Sequence, residues 1–379
     1  MRAKILVLAI FIVVGFSITG VASAPYADFS WSPSHPTDLQ PVHFIDESHG
    51  DIIAWIWYFG DGNSSTEQNP WHQYADNGNY DVRLVIILSN GSILSATKTI
   101  SIANVAPHAV IGGTRTYNVS NVTFISASYD DDGVISSCHW EFGDGNTSNG
   151  CITTHKYGKD GIYVVNLTVY DNDGASNKTN ATIMVDTTPP LTEYNASCEG
   201  WCKSDVKVKL NATDNLSGIN YTKYKIDDGD WKLYNKTIKI TSEGEHKLYF
   251  YSVDKAGNVE NVKNVSIKID KTKPSVELTT PKQGYIYIAN RQIMPTLFHR
   301  TIIIGRFNAT AKASDIISGV AYVEFILNGQ PLWKDYVSPY NAELPRELPA
   351  SFSNVLKVVA YDNAGNYKES GEITYIKIA

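Results

Sequence analysis

The chain has 379 residues, room for two to four domains of about 100–150 residues. It is 43% hydrophobic and 19% charged, an ordinary make-up for folded protein. A net charge of −7, with no basic block and no interleaved basic and aromatic stretch, argues against nucleic-acid binding. Tyrosine is abundant at 23 and methionine scarce at 3, and aromatic residues suit pleated, half-buried surfaces, so the first expectation is an all-β fold.

The chain opens with Arg2 and Lys4 ahead of an apolar run over residues 5–18. Residues 1–24 therefore read as a signal peptide, too short for a comfortable membrane span of about 20 residues. Ala22-Ser23-Ala24 reads as a cleavage site, and Pro25 favours a cut after Ser23. The alternative is an uncleaved anchor, and membrane contact is expected only through this segment. The expected location is secreted or cell-surface.

An internal repeat follows. Trp57-Tyr58-Phe59-Gly60-Asp61-Gly62 matches Trp140-Glu141-Phe142-Gly143-Asp144-Gly145. His72-x-Tyr74 then matches His155-x-Tyr157, and Tyr80 matches Tyr163, all offset by 83 residues. Trp57 with Phe59, and Trp140 with Phe142, alternate inward on a strand. Gly-Asp-Gly makes a tight turn, since glycine tolerates positive φ and aspartate bonds its own backbone. Tyr80, Val82, Leu84 and Ile86 alternate as a second core strand, as do Tyr163, Val165, Leu167 and Val169.

These residues resemble the PKD domain, an immunoglobulin-like module. Its W-x-F-G-D-G, H-x-Y and G-x-Y-x-V-x-L-x-V signatures stand in both copies, over roughly residues 26–186. The second copy adds Tyr129-Asp130-Asp131-Asp132-Gly133 and Tyr170-Asp171-Asn172-Asp173-Gly174, also similar to the family. The first copy departs there, with Asp46-Glu47-Ser48-His49-Gly50-Asp51 and Ser89-Asn90-Gly91. The resemblance places His72 and His155 in structural roles.

The second half repeats differently. Ala212-Thr213-Asp214-Asn215-Leu216-Ser217-Gly218-Ile219 matches Ala313-Ser314-Asp315-Ile316-Ile317-Ser318-Gly319-Val320. Asp254-Lys255-Ala256-Gly257-Asn258 matches Asp362-Asn363-Ala364-Gly365-Asn366. Each copy follows a proline-stiffened joint, Asp186-Thr187-Thr188-Pro189-Pro190 or Asp270-Lys271-Thr272-Lys273-Pro274. This pattern resembles the immunoglobulin-like domains of bacterial and archaeal surface proteins. The expected architecture is four consecutive immunoglobulin-like β-sandwiches in an elongated array: PKD domains over residues 25–103 and 104–186, and Ig-like domains over 187–270 and 271–379.

Export predicts oxidised cysteines. Four cysteines allow three pairings, and proximity favours Cys138 with Cys151 and Cys198 with Cys202. A zinc site is the rival, and would need all four sulfurs to converge. Sequons stand at Asn63, Asn90, Asn118, Asn121, Asn146, Asn166, Asn177, Asn180, Asn195, Asn211, Asn215, Asn220, Asn235, Asn264 and Asn308. Composition alone would give roughly five. Asn, Ser and Thr also crowd β-turns, but the enrichment points to a glycoprotein.

No G-x-S-x-G elbow, H-E-x-x-H motif, P-loop or Rossmann glycine pattern occurs, and no stretch is long enough for a catalytic domain beside four sandwiches. The expectation is a non-enzyme requiring no cofactor. Calcium is the candidate ion, because hard cations take six to eight oxygens. The candidate ligands are Asp130, Asp131 and Asp132 in one turn and Asp171 and Asp173 in another, the alternative being plain turns. EF-hand spacing fails, since position twelve falls on His139.

The outward strand faces differ between the copies. His139, Glu141, Asn166 and Thr168 are polar in the second, whereas Ile56, Tyr58, Val85 and Ile87 are apolar in the first. If those strands pair, the first domain exposes an apolar interaction face. The functional expectation is an adhesion or binding protein whose partner is an envelope protein or polysaccharide, or another copy by self-association. The alternatives are a structural spacer or envelope-layer component, and an accessory subunit of an exported hydrolase complex.

Overall fold

The computed structural model describes residues 23–345 and 353–378, so most of the expected signal peptide lies outside the described residues. Every regular element among them is a strand. Two compact units form, divided chiefly at Ile183/Met184.

The first unit carries the first sandwich and most of the second. In the first module, β1 (Phe29–Ser32), β2 (Val42–Asp46) and β5 (Trp71–His72) form one sheet. The facing sheet runs β4 (Ser64–Ser65), β3 (Ile52–Tyr58), β6 (Gly78–Leu88), β7 (Ile93–Ile102). Period-2 alternation sends Trp57, Val82, Leu84 and Ile86 inward against Phe29, Val42 and Phe44, all fully buried. Burial of that kind contributes about 1.5–3 kcal/mol for each large side chain.

The second module repeats this plan with β8 (Thr116–Tyr117), β9 (Asn121–Ile125), β10 (Ile135–Glu141), β11 (Thr147–Asn149), β12 (Ile152–Lys156), β13 (Gly161–Asp171) and β14 (Ser176–Val185). One sheet is ordered β11-β10-β13-β14-β8, and β12 pairs with β9. Trp140, Phe142, Val165, Leu167 and Val169 are buried.

The turn after each tryptophan strand explains the shared W-x-F-G-D-G signature. Gly60 has φ +90°, and a Cβ there would meet the Asp81 nitrogen at 2.9 Å. Gly143 has φ +83°, with the Val164 oxygen 2.6 Å from the same point. Asp61 then accepts from the Asn63 amide at 3.0 Å and contacts His72 Nε2 at 2.7 Å. Asp144 repeats both contacts with Asn146 and His155. Each imidazole stacks on its phenylalanine, His72 on Phe59 and His155 on Phe142. The buried Tyr74 and Tyr157 hydroxyls donate to the Phe59 and Phe142 carbonyls at 3.0 Å.

In the second unit, β15 (Leu191–Ala196), β17 (Val206–Thr213) and β20 (Ile238–Ile240) face a sheet ordered β16 (Trp201–Cys202), β22 (Lys263–Ile269), β21 (Gly244–Asp254), β18 (Ile219–Ile226), β19 (Lys232–Leu233). Val206, Val208, Leu248, Phe250 and Ile269 form their core. The last module packs β23 (Ser275–Thr280), β27 (Asn308–Ser314) and β30 (Tyr340–Glu343) on an eight-stranded sheet. Its core holds Tyr287, Ile303, Phe325, Leu356, Val358 and Tyr375. All four modules are β-sandwiches of the immunoglobulin-like class.

Candidate metal centre

The cysteines form two local disulfides, Cys138–Cys151 and Cys198–Cys202, and no free cysteine remains. That removes the zinc alternative, because a disulfide sulfur is no longer a thiolate ligand.

Of the five aspartates predicted as cation ligands, the fold groups three. Asp130 and Asp132 lie in the loop between β9 and β10, and Asp171 ends β13. Gly133 permits the approach, since a Cβ there would meet Asp130 Oδ2 at 2.9 Å and Asn172 Oδ1 at 2.2 Å. The other two point elsewhere. Exposed Asp131 contacts His108 Nε2 at 3.0 Å, with His108 stacked on Tyr129. Asp173 is exposed and accepts from Asn172 Nδ2. Alternate residues in a turn point to different sides, so a run of three aspartates does not deliver three ligands to one place.

Two members were not legible in the sequence. Asn104 donates through Nδ2 to Asp171 Oδ2 at 2.8 Å, while its Oδ1 is buried without a partner. Asp38, in the first module's loop between β1 and β2, is 5% exposed, and its Oδ1 likewise has no partner. Asp38 falls opposite Asn121 in the repeat, so no pattern marks it. Asn104 sits where one module passes into the next, and only position hints at a role.

Asp132 lies within hydrogen-bonding reach of both Asp38 and Asp130. Burial, followed by the adjacent Asp132 carboxylate, pushes the Asp38 and Asp130 carboxyls well above the ordinary range. Burial acts on Asp132 too, but the Val105 amide, donating to its Oδ2 at 2.9 Å, helps hold it low. Five buried oxygens of these residues are without hydrogen-bond partners: Asp38 Oδ1, Asn104 Oδ1, both of Asp130 and Asp132 Oδ1. All are acceptors, the donor set of a hard cation.

The second unit holds two further clusters. Asp186, Asp214 and Asp254 bring carboxylate oxygens within 4.8 Å of one another, and Asp270, Asp315 and Asp362 do the same. Backbone amides occupy many of these oxygens. Asp254 Oδ1 accepts from Gly257 and Asn258, and Asp362 Oδ1 from Ala364 and Asn366. Asp186 Oδ2 accepts from Ser217, and Asp270 Oδ2 from Ser318. Here the repeat carried the signal, because all three aspartates recur in both copies.

Strands β3 and β6 pair, placing Ile56 opposite Val85 and Tyr58 opposite Arg83. Ile56, Val85 and Ile87 are half-buried and Tyr58 is 48% exposed; Ile53 and Ile93 are more open. The register corrects one comparison. Thr168 pairs with His139 as Val85 does with Ile56, so the counterpart of Asn166 is Arg83 and that of Ile87 is Tyr170. The two faces therefore differ by less than the sequence suggested. Among the sequon asparagines, all but half-buried Asn166 are exposed; Asn166 Nδ2 donates to Glu141.

The PKD domain family profile matches residues 23–103 and again residues 104–186. These two modules are PKD domains. The microbial collagenase of Vibrio alginolyticus is 40% identical over 172 residues, 45% of this chain and 20% of that protein. Collagenase ColA of Clostridium perfringens is 38% identical over 128 residues, 33% of this chain and 11% of that protein. The chain thus spans a fifth or less of these relatives. A solved PKD1 domain from Vibrio cholerae metalloprotease PrtV is 39% identical, with 22% of this chain covering 100% of it at TM-score 0.20.

Proposed function

We propose that this chain is a non-enzymatic, extracytoplasmic binding protein that engages a protein or polysaccharide at the cell envelope. The observation that carries this reading is the outer face of the first PKD module. Ile53, Ile56, Tyr58, Val85, Ile87 and Ile93 form an apolar strip on the sheet of β3, β6 and β7. Such strips mark interfaces. Two disulfides fit an oxidising compartment, and the exposed sequons fit glycosylation. The collagenase relatives favour a second reading, an accessory subunit of an exported hydrolase complex.

The test compares the mature chain with an Ile56→Ser/Ile87→Ser variant on immobilised collagen and on envelope polysaccharide, with sedimentation to report self-association. The expected result is at least a tenfold loss of binding or self-association with little change in melting temperature. Binding that persists undiminished in the variant removes the face from the reading.

The second PKD module is further proposed to hold a divalent cation of the calcium class through Asn104, Asp130 and Asp132, with Asp171 orienting Asn104. Two carboxylates within hydrogen-bonding reach of each other and an unpartnered amide oxygen suit calcium, which takes carboxylate and carbonyl oxygens in flexible geometry. No histidine or cysteine stands among them to favour zinc.

A further inference from the structure

We propose that Asp38, a residue of the first module, is a ligand of the same cation as Asn104, Asp130 and Asp132, so that one bound cation ties the first PKD module to the second. The inference rests on the reading of the second module as a cation site, and adds to it a ligand from outside that module.

The loop that carries Asp38 is fixed beside the joint. The Ala103 amide donates to the Pro36 carbonyl at 2.9 Å, and Thr37 forms a parallel bridge with Ala103. Gln40 closes the turn by donating to the Thr37 carbonyl at 3.0 Å, and Gln73 Nε2 donates to the Asp38 carbonyl at 3.1 Å. The backbone is thus held from three sides while Oδ1 is buried and unpartnered. One residue past Ala103, Asn104 has its own buried, unpartnered Oδ1, and the next amide, Val105, is bonded to Asp132. The joint is threaded between the carboxylate of one module and those of the other.

The chemistry requires something between them. An ionised carboxylate buried without a partner costs several kcal/mol, and two at hydrogen-bonding distance cannot both stay ionised unless a proton or a cation lies between them. The groups acting on Asp38, Asp130 and Asp132 are other carboxylates and backbone amides, with no lysine or arginine among them. Each of these residues offers an unpartnered oxygen, the ligand type calcium takes, with water to complete its six to eight. The first module cannot build such a site alone. Its counterparts of Asp130, Asp132 and Asp171 are Glu47, His49 and Leu88, and Leu88 is buried in the core.

The experiment uses residues 25–379, stripped with chelator and titrated calorimetrically with calcium, with magnesium as control. Wild type, Asp38→Asn and Asp132→Asn are compared, and hydrogen exchange at Ala103 and Val105 is followed with and without calcium. The expected result is that Asp132→Asn abolishes binding. Asp38→Asn should weaken it about tenfold or more and lose the calcium-dependent protection at Ala103. Melting without calcium guards against misfolding: Asp38→Asn should match wild type there and lose only the calcium-induced rise. If Asp38→Asn binds as tightly as wild type while Asp132→Asn does not bind, the shared ligand is refuted and the second-module site stands. If wild type binds no calcium, both fall. An equal drop in melting temperature with and without calcium assigns Asp38 a purely structural role and overturns the proposal.

Discussion

The two PKD modules share one framework and solve one problem twice in different ways. Trp57 and Trp140, Gly60 and Gly143, His72 and His155, and Tyr74 and Tyr157 make the same contacts at nearly the same distances. Both indole nitrogens donate to a backbone oxygen at 3.0 Å, from Glu67 in one case and Gly150 in the other. The modules part where the β3 or β10 strand meets the segment after the next turn. The second module has the Cys138–Cys151 disulfide there. At the corresponding positions the first has Trp55 and Gln68, both donating to Asp46 Oδ2, at 2.6 and 3.2 Å. A covalent link in one copy is thus replaced by a charge-assisted hydrogen-bond pair in the other. The site borders the core in both copies, with Cys138 buried and Trp55 packed against the Trp57 cluster.

The comparison can be pressed at its strongest point first. Trp57→Ala and Trp140→Ala should each cost their own module about 3–5 kcal/mol, read as lost hydrogen-exchange protection in that module under native conditions. Costs that differ by more than about 1 kcal/mol would break the equivalence of the two cores.

A smaller and unequal effect should follow at the divergent edge. The double variant Cys138→Ala/Cys151→Ala removes a short cross-link worth about 3 kcal/mol by loop-closure entropy. Gln68→Ala in the first module removes one of two hydrogen bonds to a carboxylate and should cost about 1 kcal/mol. Urea unfolding followed by module-specific exchange compares them, and equal costs would argue that the hydrogen-bond pair is as strong as the disulfide.

The smallest effect should again be shared. Burial alone would raise the Asp61 carboxyl, but its hydrogen bonds from Asn63 and His72 outweigh that and hold it below the ordinary value. Asp144 is held low against burial in the same way by His155 and Asn146. A carboxylate depressed in the folded state stabilises above its unfolded pKa of about 4, and that contribution is lost as pH falls through the folded value. Each module should therefore weaken by about 1 kcal/mol as pH drops from about 5 to 3. Asp61→Asn and Asp144→Asn should each flatten that acid limb in urea midpoints without changing the other module. A variant whose pH dependence matches wild type would remove its pair from the account.

The sequence by itself determined the fold class, the two pairs of repeats and the inward strand residues. Each follows from local rules: alternation at period two, glycine where φ is positive, and an aspartate bonding the turn behind it. Proximity favoured the two local disulfides that form, because cysteines 4 and 13 residues apart close short loops. Tertiary structure alone decided which oxygens meet. Asp131 and Asp173 looked equivalent to their neighbours and turned away, since a turn sends successive side chains to different sides. Asp38 lies 94 residues before Asp132 (132 minus 38), the carboxylate within its hydrogen-bonding reach, and no spacing rule joins them. They meet because the Pro36 and Thr37 backbone bonds Ala103, a contact made by main-chain atoms that leave no mark in the residue types.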